Sequence, residues 1–303
     1  MPGNKQVAVL LCTYNGEKYI REQVDSILSQ SYRDIRLYIQ DDHSTDGTWN
    51  VLQRYSDDPR VTLYKKEDNL GYPECFYDLM SKVDAADYYA FSDQDDVWEK
   101  EKMERAVRLL RDADPQKPAL VFANYVVCDE NLSPIRTSKG PDRAPDFLYS
   151  LYSCLGLGFT YVLNHTAKQL IAQRRSVKNV TKDAWIGMCC TAFGSAYFDA
   201  APEAFHRRNS GAFSAQDTTW LQIQKDRVRK FLLGSGLNQV YSVMEEFYQM
   251  FEGELPEQHK KELRFFLDRG LLHRFRKVFY PRRLRYDLGD DIMLRVMFAL
   301  GKL

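Results

Sequence analysis

The sequence predicts an α/β protein with a mostly parallel sheet that is flanked by helices. Short apolar runs alternate with segments of about ten residues in which apolar side chains have helical spacing. Each of these runs ends in a polar cluster, and the chain of 303 residues is long enough for one large domain and an extension. Strands that alternate with helices imply parallel pairing through right-handed crossovers.

Four apolar runs in the first third of the chain predict the first four strands. They are Val7–Leu11, Ile35–Ile39, Val61–Tyr64 and Tyr88–Phe91. Each run is followed by a polar cluster and then by a helical pattern. The clusters are Cys12–Glu17, Gln40–Ser44, Lys66–Gly71 and Ser92–Asp96. Because the carboxyl ends of parallel strands share one edge of a sheet, where ligands bind, we expect the four clusters to form one site.

The cluster after the fourth strand is the most acidic, since it places Asp93, Asp95 and Asp96 within four positions. Neighbouring carboxylates repel one another unless a cation lies among them. Mg²⁺ and Mn²⁺ take carboxylate oxygens and share the rest of their shell with substrate phosphates. A solvated turn before the helix near Glu99 is the alternative interpretation, but the polar clusters on the other three strands favour a metal site.

The first loop narrows the class of ligand. It contains neither G-x-G-x-x-G nor G-x-x-x-x-G-K-[ST], the patterns that hold phosphates on backbone amides. Thr13, Tyr14 and Asn15 suit stacking on, and hydrogen bonding to, a base or ribose, while Asp41 and Asp42 can accept from an imide N–H or a ribose hydroxyl. These features predict a nucleotide whose diphosphate is neutralised by a metal.

Composition argues against several other classes of protein. The formal net charge is zero, so nothing indicates a nucleic-acid partner. The 6 cysteines include no C-x-x-C pair, and free thiols in a reducing cytoplasm are the simplest interpretation. Met1–Gln6 is too short and polar for a secretory signal, and no apolar stretch is long enough to span a bilayer. We therefore expect a cytoplasmic protein.

Four motifs in order along the chain resemble those of family 2 glycosyltransferases, which have the Rossmann-like GT-A fold. They are Val9–Gly16, Asp41–Thr48, Asn69–Gly71 and Ser92–Trp98. The similarity runs over roughly residues 6–215 and is greatest to bacterial polysaccharide rhamnosyltransferases. It implies metal-dependent, inverting transfer of a sugar from a nucleoside diphosphate. The donor that it favours is dTDP-L-rhamnose, with a UDP-hexose as the alternative.

The resemblance also implies roles for individual residues on the donor side. The residues expected to bind the nucleotide sugar are Thr13, Tyr14, Asn15, Glu17, Asp42, Asn69, Gly71, Asp93 and Arg207. Asp42 corresponds to the residue that contacts the base and Asp93 to the one on the ribose or sugar side. Asp95 is the expected ligand of Mg²⁺ or Mn²⁺. His206 is a second candidate ligand, although a plain surface position is the alternative, and Arg208 is an alternative phosphate contact to Arg207.

On the acceptor side, Asp183 corresponds to the presumed general base of the family. A helix N-cap is the alternative role for this residue. Relatives commonly show His-Asp-Trp-Trp where this chain has Lys182 and Ala184 around Asp183, which leaves acceptor specificity open. The residues expected to contact the acceptor are Gly158, Trp185 and the third carboxylate, Asp96.

We expect the GT-A domain to occupy residues 1–215, with a nucleotide-sugar half at about 1–130 and an acceptor half at about 131–215. The remaining segment, 216–303, is expected to be a helical extension. Its part Lys260–Arg285 contains ten Lys and Arg among aromatic residues, and Ile292–Leu300 is a second amphipathic element. This pattern indicates contact with an anionic membrane at the inner face of the plasma membrane. A helical pair folded on the catalytic domain and a homodimer interface are the alternatives.

Two other classes of protein are alternatives to a glycosyltransferase. A sugar nucleotidyltransferase needs a glycine-rich, basic first loop for a triphosphate, and Cys12–Glu17 lacks it. A non-catalytic glycan- or membrane-binding protein that kept the fold would not hydrolyse a nucleotide sugar. The expected partners are therefore a nucleoside-diphosphate sugar and a saccharide acceptor, which is lipid-linked in many such systems.

Overall fold

A computed structural model describes residues 5–176, 181–208 and 237–301 of the chain. The strands are β1 (Val7–Thr13), β2 (Ile35–Asp41), β3 (Val61–Lys65), β4 (Tyr88–Ser92), β5 (Val97–Trp98), β6 (Ala119–Cys128), β7 (Pro134–Thr137), β8 (Val162–Asn164) and β9 (Ser195–Arg207). The helices are α1 (Ile20–Leu28), α2 (Thr48–Leu52), α3 (Glu74–Lys82), α4 (Lys102–Arg111), α5 (Phe147–Ser150), α6 (His165–Gln173), α7 (Lys182–Phe193), α8 (Leu237–Phe251), α9 (Glu257–Leu267), α10 (Leu271–Val278) and α11 (Leu288–Ala299).

The described strands form one sheet in the order β3-β2-β1-β4-β8-β6-β9-β5, with β7 paired to β6. Strands β1 to β4 are parallel, as the alternation of strands and helices predicts. Strand β8 is antiparallel to both of its neighbours, and the sheet ends in the antiparallel pair β9 and β5. Thr13 lies opposite Asp41, and Leu11 lies opposite Ser92, so the loops after β1, β2 and β4 begin at one level.

The central strands are buried on both faces. Every residue of Val7–Leu11 is at most 1% exposed, because α1 and α4 cover one face of the sheet and α3 and α6 cover the other. Such strands carry continuous apolar runs rather than an alternating pattern, which explains why the first runs are so clear in the sequence. The firm sheet core fixes the positions at which the polar loops emerge.

A second core joins the C-terminal helices to the sheet domain through α7. Ile186 and Cys190 of this helix pack in the sheet core, while Trp185 and Cys189 pack with α5, α8, α9 and α11. The C-terminal helices are therefore folded against the sheet domain, which is the arrangement of one alternative for them. The predicted boundary near residue 215 lies outside the described residues.

Candidate functional site

Side chains of the first loop hold the second loop by its backbone. Asn15 Oδ1 accepts from Thr45 N at 2.8 Å, and Glu17 Oε2 accepts from Gly47 N at 3.0 Å. Asn15 itself has a left-handed backbone with φ 49°, a conformation that asparagine tolerates better than most residues. Both residues were predicted to lie along a nucleoside, and in this structure their side chains hold the backbone of the second loop.

Asp42 connects the second loop to the third. Its Oδ1 accepts from Leu70 N at 3.0 Å and its Oδ2 accepts from Gly71 N at 2.8 Å, while Asn69 Nδ2 donates to the Asp42 carbonyl at 2.9 Å. Gly71 has φ +71°, so a side chain there would be strained. A carboxylate has lone pairs beyond these two bonds, so Asp42 retains acceptor capacity.

Gln94 ties the acidic loop to the first loop, and sequence reasoning missed it. Its Oε1 accepts from the Thr13 hydroxyl at 2.6 Å and from Tyr14 N at 2.8 Å, and its Nε2 donates to the Tyr14 carbonyl at 3.1 Å. These bonds fix the backbone of Tyr14 while its ring stays exposed. The only sequence signal was an amide in the middle of an acidic run, which does not by itself predict a partner.

The acidic loop concentrates negative charge at the end of β4. Burial and the neighbouring Asp96 raise the pKa of Asp93 to about 7, against the opposing effect of Lys182. Asp96 is fully buried, and its Oδ2 has no hydrogen-bond partner among the described residues. A buried carboxylate oxygen without a donor is costly, so this cluster is suited to receive positive charge.

His206 of β9 pairs with Asp96, because its Nδ1 lies 2.8 Å from Asp96 Oδ1. The ring stacks on Phe159, with 4.8 Å between the ring centres. Burial works against protonation, but the hydrogen bond to Asp96 and the nearby carboxylates outweigh it and raise the pKa of His206. Asp96 was predicted to contact the acceptor, whereas in the structure its side chain is fully buried and orients His206.

Arg207 was predicted to bind the nucleotide sugar, and in the structure its side chain contacts the acidic loop. This side chain is buried, its Nε donates to the Asp95 carbonyl at 3.0 Å, and its Nη1 donates to the Glu130 carbonyl at 2.5 Å. Its Nη2 pairs with Glu22. With its nitrogens engaged in this way, Arg207 positions the acidic loop rather than a phosphate. Arg208, which is half-buried, is left as the phosphate candidate of this pair.

Asp183 lies in the first turn of α7 and is held from two sides. Its Oδ2 accepts from Gly158 N at 2.8 Å, and its Oδ1 lies 3.0 Å from Lys182 Nζ. The N-cap of α7 is Thr181, whose hydroxyl accepts from Ala184 N, so the alternative role of Asp183 as the cap is wrong. A Cβ at Gly158 would lie 2.3 Å from Asp183 Oδ1, which explains the need for glycine there.

Lys182 places a buried positive charge beside Asp183. Its Nζ lies 4.0 Å from the centre of the Phe91 ring and 4.6 Å from that of Phe76, and contacts of this kind with aromatic rings stabilise a desolvated cation. Sequence comparison with the His-Asp-Trp-Trp pattern marked Lys182 only as a departure. In the structure it is the cation that Asp183 contacts.

Tyr72 is a second residue that sequence reasoning missed. Its side chain is 57% exposed, and burial of its hydroxyl end together with nearby Asp183 and Asp93 raises its pKa. It follows Gly71, so the aromatic after the Asn-Leu-Gly motif was the available signal. Trp185, which was predicted to contact the acceptor, is fully buried in the second core, and its indole N–H donates to the Arg174 carbonyl at 2.6 Å.

Among the described residues, no three or more His, Cys, Asp or Glu side chains lie close enough together to hold a metal ion by themselves. The site nevertheless fits a cation that shares its shell with a diphosphate, because such a cation takes only one or two protein carboxylates. The Asp96–His206 pair resembles the carboxylate that orients a metal-bound imidazole in many metal sites. Asp95 and His206 are the residues that would hold the ion.

Comparisons with known proteins identify the family to which the chain belongs. The family model described as glycosyl transferase family 2 matches residues 8–186. The dTDP-rhamnosyl transferase RfbG of Shigella flexneri is 30% identical over 217 residues, which cover 66% of this chain and 71% of the relative. A teichuronic acid biosynthesis glycosyltransferase, TuaG of Bacillus subtilis, described as putative, is 32% identical over 43% of this chain and 50% of its own length.

Solved structures show the same fold. TarS of S. aureus in complex with UDP-GlcNAc superposes with a TM-score of 0.58 over 98% of this chain and 92% of that chain, at 14% identity. The mannosyltransferase PcManGT of Pyrobaculum calidifontis, in complex with GDP-Man and Mn²⁺, has a TM-score of 0.55 at 17% identity over 88% of this chain and 70% of that chain. With the family match over most of the sheet domain, the chain belongs to glycosyltransferase family 2 and has the GT-A fold.

Proposed function

We propose that this enzyme transfers a sugar, with inversion, from a nucleoside diphosphate to a hydroxyl of a growing polysaccharide or lipid-linked saccharide. The observation that carries the proposal is the environment of Asp183. The Asp183 carboxylate is held by Gly158 N–H, lies beside Lys182 and is close enough to the acidic loop to affect the pKa of Asp93, which supports a role as proton acceptor. One base without an enzymic nucleophile gives inversion by single displacement.

In the proposed reaction, the carboxylate of Asp183 is held in place by two bonds and accepts a proton. The bonds from Gly158 and Lys182 fix the carboxylate plane, and a remaining lone pair accepts the proton of the acceptor hydroxyl as that oxygen attacks the anomeric carbon. The bond between the anomeric carbon and the diphosphate oxygen breaks as the new glycosidic bond forms. Tyr72, exposed beside Asp183, is proposed to line the sugar-binding space.

The donor side is proposed to hold the nucleoside against Tyr14 and the second loop. The exposed ring of Tyr14 offers a stacking surface, and Asp42 retains capacity to accept from a base. The walls of this proposed space are formed by Thr13, Asn15, Glu17, Asn69 and Gly71.

Mg²⁺ or Mn²⁺ is proposed to bind at Asp95 and His206 together with the donor diphosphate. When bound, the ion would neutralise the charge that develops on the leaving diphosphate. Activity that persists unchanged in excess EDTA would contradict this part of the proposal while leaving the role of Asp183 intact.

The donor is proposed to be dTDP-L-rhamnose, because the relative from Shigella flexneri is named a dTDP-rhamnosyl transferase. A UDP-hexose is the second candidate, favoured by a relative named a UDP-Glc:α-D-GlcNAc-diphosphoundecaprenol β-1,3-glucosyltransferase, WfaP of Escherichia coli, at 28% identity over 40% of this chain and 46% of the relative. That name also supports a lipid-linked acceptor.

A thermal-shift panel of dTDP-, UDP- and GDP-sugars with Mg²⁺ or Mn²⁺ tests the donor. We expect selective stabilisation by dTDP-L-rhamnose that EDTA abolishes. Selective stabilisation by UDP-glucose would replace the rhamnose assignment with the UDP-hexose one. Stabilisation by no nucleotide sugar, with no hydrolysis of any of them, would favour a non-catalytic binding protein.

A further inference from the structure

We propose that the outward faces of α10 and α11 form a docking surface for an anionic lipid bilayer. The surface consists of eight large apolar side chains, here called the outer apolar face: Leu271, Leu272, Phe275, Phe279, Leu288, Ile292, Val296 and Leu300. The inference goes beyond the proposed transfer reaction and does not depend on which donor the enzyme uses. It rests on the inverted amphipathicity of these helices and on the charges around them.

Helix α10 buries the charged Lys277 and exposes large apolar side chains. Lys277 is fully buried, and its Nζ donates to the Tyr241 hydroxyl and to the Phe266 carbonyl, both at 2.7 Å. The four apolar residues of the outer apolar face that belong to this helix and its C-cap are between 61% and 79% exposed. At 3.6 residues per turn they lie opposite Lys277. A helix that only covered the protein would have the reverse orientation.

Helix α11 continues the same surface. Its outer residues recur every four positions from Leu288 to Leu300 and are between 42% and 60% exposed. Its opposite side packs Leu294 and Phe298 into the second core. This helix is therefore apolar on both sides, and the core accounts for only one of them.

Contacts between the two helices make the outer apolar face one continuous unit. The helices pack on each other, and Arg295 of α11 donates to the Val278 carbonyl at 2.7 Å and to the Tyr280 carbonyl at 2.8 Å. Arg295 also pairs with the buried Asp291. Because these bonds tie α11 to the end of α10, the apolar residues of both helices are held together before any partner binds.

The charges near this surface favour an anionic bilayer over a second copy of the chain. Arg269–Arg285 contains seven Lys and Arg and no Asp or Glu. Arg269 and Arg276 are exposed, and Arg276 lies on α10 next to the apolar side chains. An isologous dimer would bring these like charges together, whereas a bilayer with anionic lipids would neutralise them.

Some charges on this side have partners or opposite sign. Arg282 and Arg283 pair with Asp146 and Asp142, and Asp287 caps the start of α11. The net excess is nevertheless positive beside α10. Within the described residues no helix is long and apolar enough to cross a membrane. The proposed contact is therefore one in which the apolar side chains enter the interface and the arginines meet the headgroups.

Co-sedimentation of the full-length protein with vesicles tests the proposal. The vesicles are phosphatidylcholine alone or phosphatidylcholine with about a third phosphatidylglycerol, at low and high salt. We expect binding to the anionic vesicles that weakens with salt, because exposed charges are screened over roughly 8–10 Å at physiological ionic strength. The double variant Phe275→Gln/Ile292→Gln should bind at least about tenfold more weakly. Arg269→Gln/Arg276→Gln should lose most of the preference for anionic vesicles.

Ile135→Gln is the matched control, because Ile135 is 55% exposed on β7, away from this surface. It should bind vesicles like the wild type. All variants should keep the thermal shift produced by the donor, so a failure of the docking proposal is distinct from a failure of the transferase proposal. Wild-type protein that ignores anionic vesicles would overturn the inference. So would a dimer in light scattering that Phe275→Gln/Ile292→Gln converts to monomer.

Discussion

The strand-end site and the C-terminal helices place charge in opposite ways. At the site, polar side chains are gathered by short bonds between neighbouring loops, as when Asp42 accepts from Leu70 and Gly71. In the C-terminal helices, Lys277 and Asp291 are buried while large apolar side chains face outward. The first arrangement is encoded in local motifs, whereas the second depends on which helix face meets the core. Local motifs therefore predict where the polar site lies, but they do not predict which face of a helix is buried.

At the strand-end site, the largest effect on activity is expected from Asp183→Asn. We expect transfer to fall by about 10²- to 10⁴-fold, because the amide cannot take the proton of the acceptor hydroxyl. Binding of the donor by calorimetry should persist, since the donor loops are held by other residues. Asp57→Asn, at an exposed position, is the control and should be fully active. Loss of donor binding in Asp183→Asn would move this residue to the donor side.

In the core formed with the C-terminal helices, the largest effect on stability is expected from Trp185→Ala. Trp185 is two positions from Asp183 but belongs to the second core, so we expect a loss of about 3–5 kcal/mol in the free energy of unfolding. Trp185→Phe should retain most of that stability and leave the acceptor KM unchanged. A large rise in acceptor KM in the stable Trp185→Phe enzyme would restore the contact predicted from the sequence.

An intermediate effect is expected from Gly158→Ala. The added Cβ would lie 2.3 Å from Asp183 Oδ1 and 2.6 Å from Lys182 Nζ, so the base must shift. We expect kcat to fall by about tenfold or more while the KM for the donor changes little. Gly253→Ala is the matched control, because nothing lies within 4 Å of the added atom. Equal activities of the two variants would show that the position of Asp183 is not critical.

The smallest effect concerns the buried charge in α10. Burial lowers the pKa of Lys277 from its usual 10.5 to about 8. Between these values the unfolded chain binds more protons than the folded one, so this residue makes stability rise with pH. The stability of Lys277→Met relative to the wild type should therefore decline between about pH 8 and pH 10. Thermal unfolding of both proteins across this range measures the difference, and a difference that does not change with pH would contradict the lowered pKa of Lys277.

The same contrast explains what could be predicted from the sequence. Strands β1 to β4 and their polar turns followed from apolar runs, because strands covered on both faces must be apolar throughout. The mixed part of the sheet did not follow, since β6 pairs in parallel with β9 far along the chain and with bulges in the register. Long-range pairing of this kind leaves no local pattern.

At the candidate site, sequence reasoning proposed Asp183 and the acidic loop but not the residues that hold them. Gln94 and Lys182 act through contacts between distant segments, and the sequence gives no spacing for such contacts. The packing of Trp185 in the second core was not predicted, although a signal for it existed. Helix α7 is apolar nearly all round, which is typical of a helix buried on several sides.

Helix α7 also constrains how parts of this enzyme can be exchanged with those of relatives. It carries Asp183, the proposed base, in its first turn, packs Ile186 against the sheet and packs Trp185 against the C-terminal helices. A chimera that took its C-terminal helices from another enzyme would set foreign side chains against Trp185 and Cys189, and any misfit would reach Asp183 along a single helix. Successful recombination must therefore carry α5, α7 and the C-terminal helices together as one inherited block.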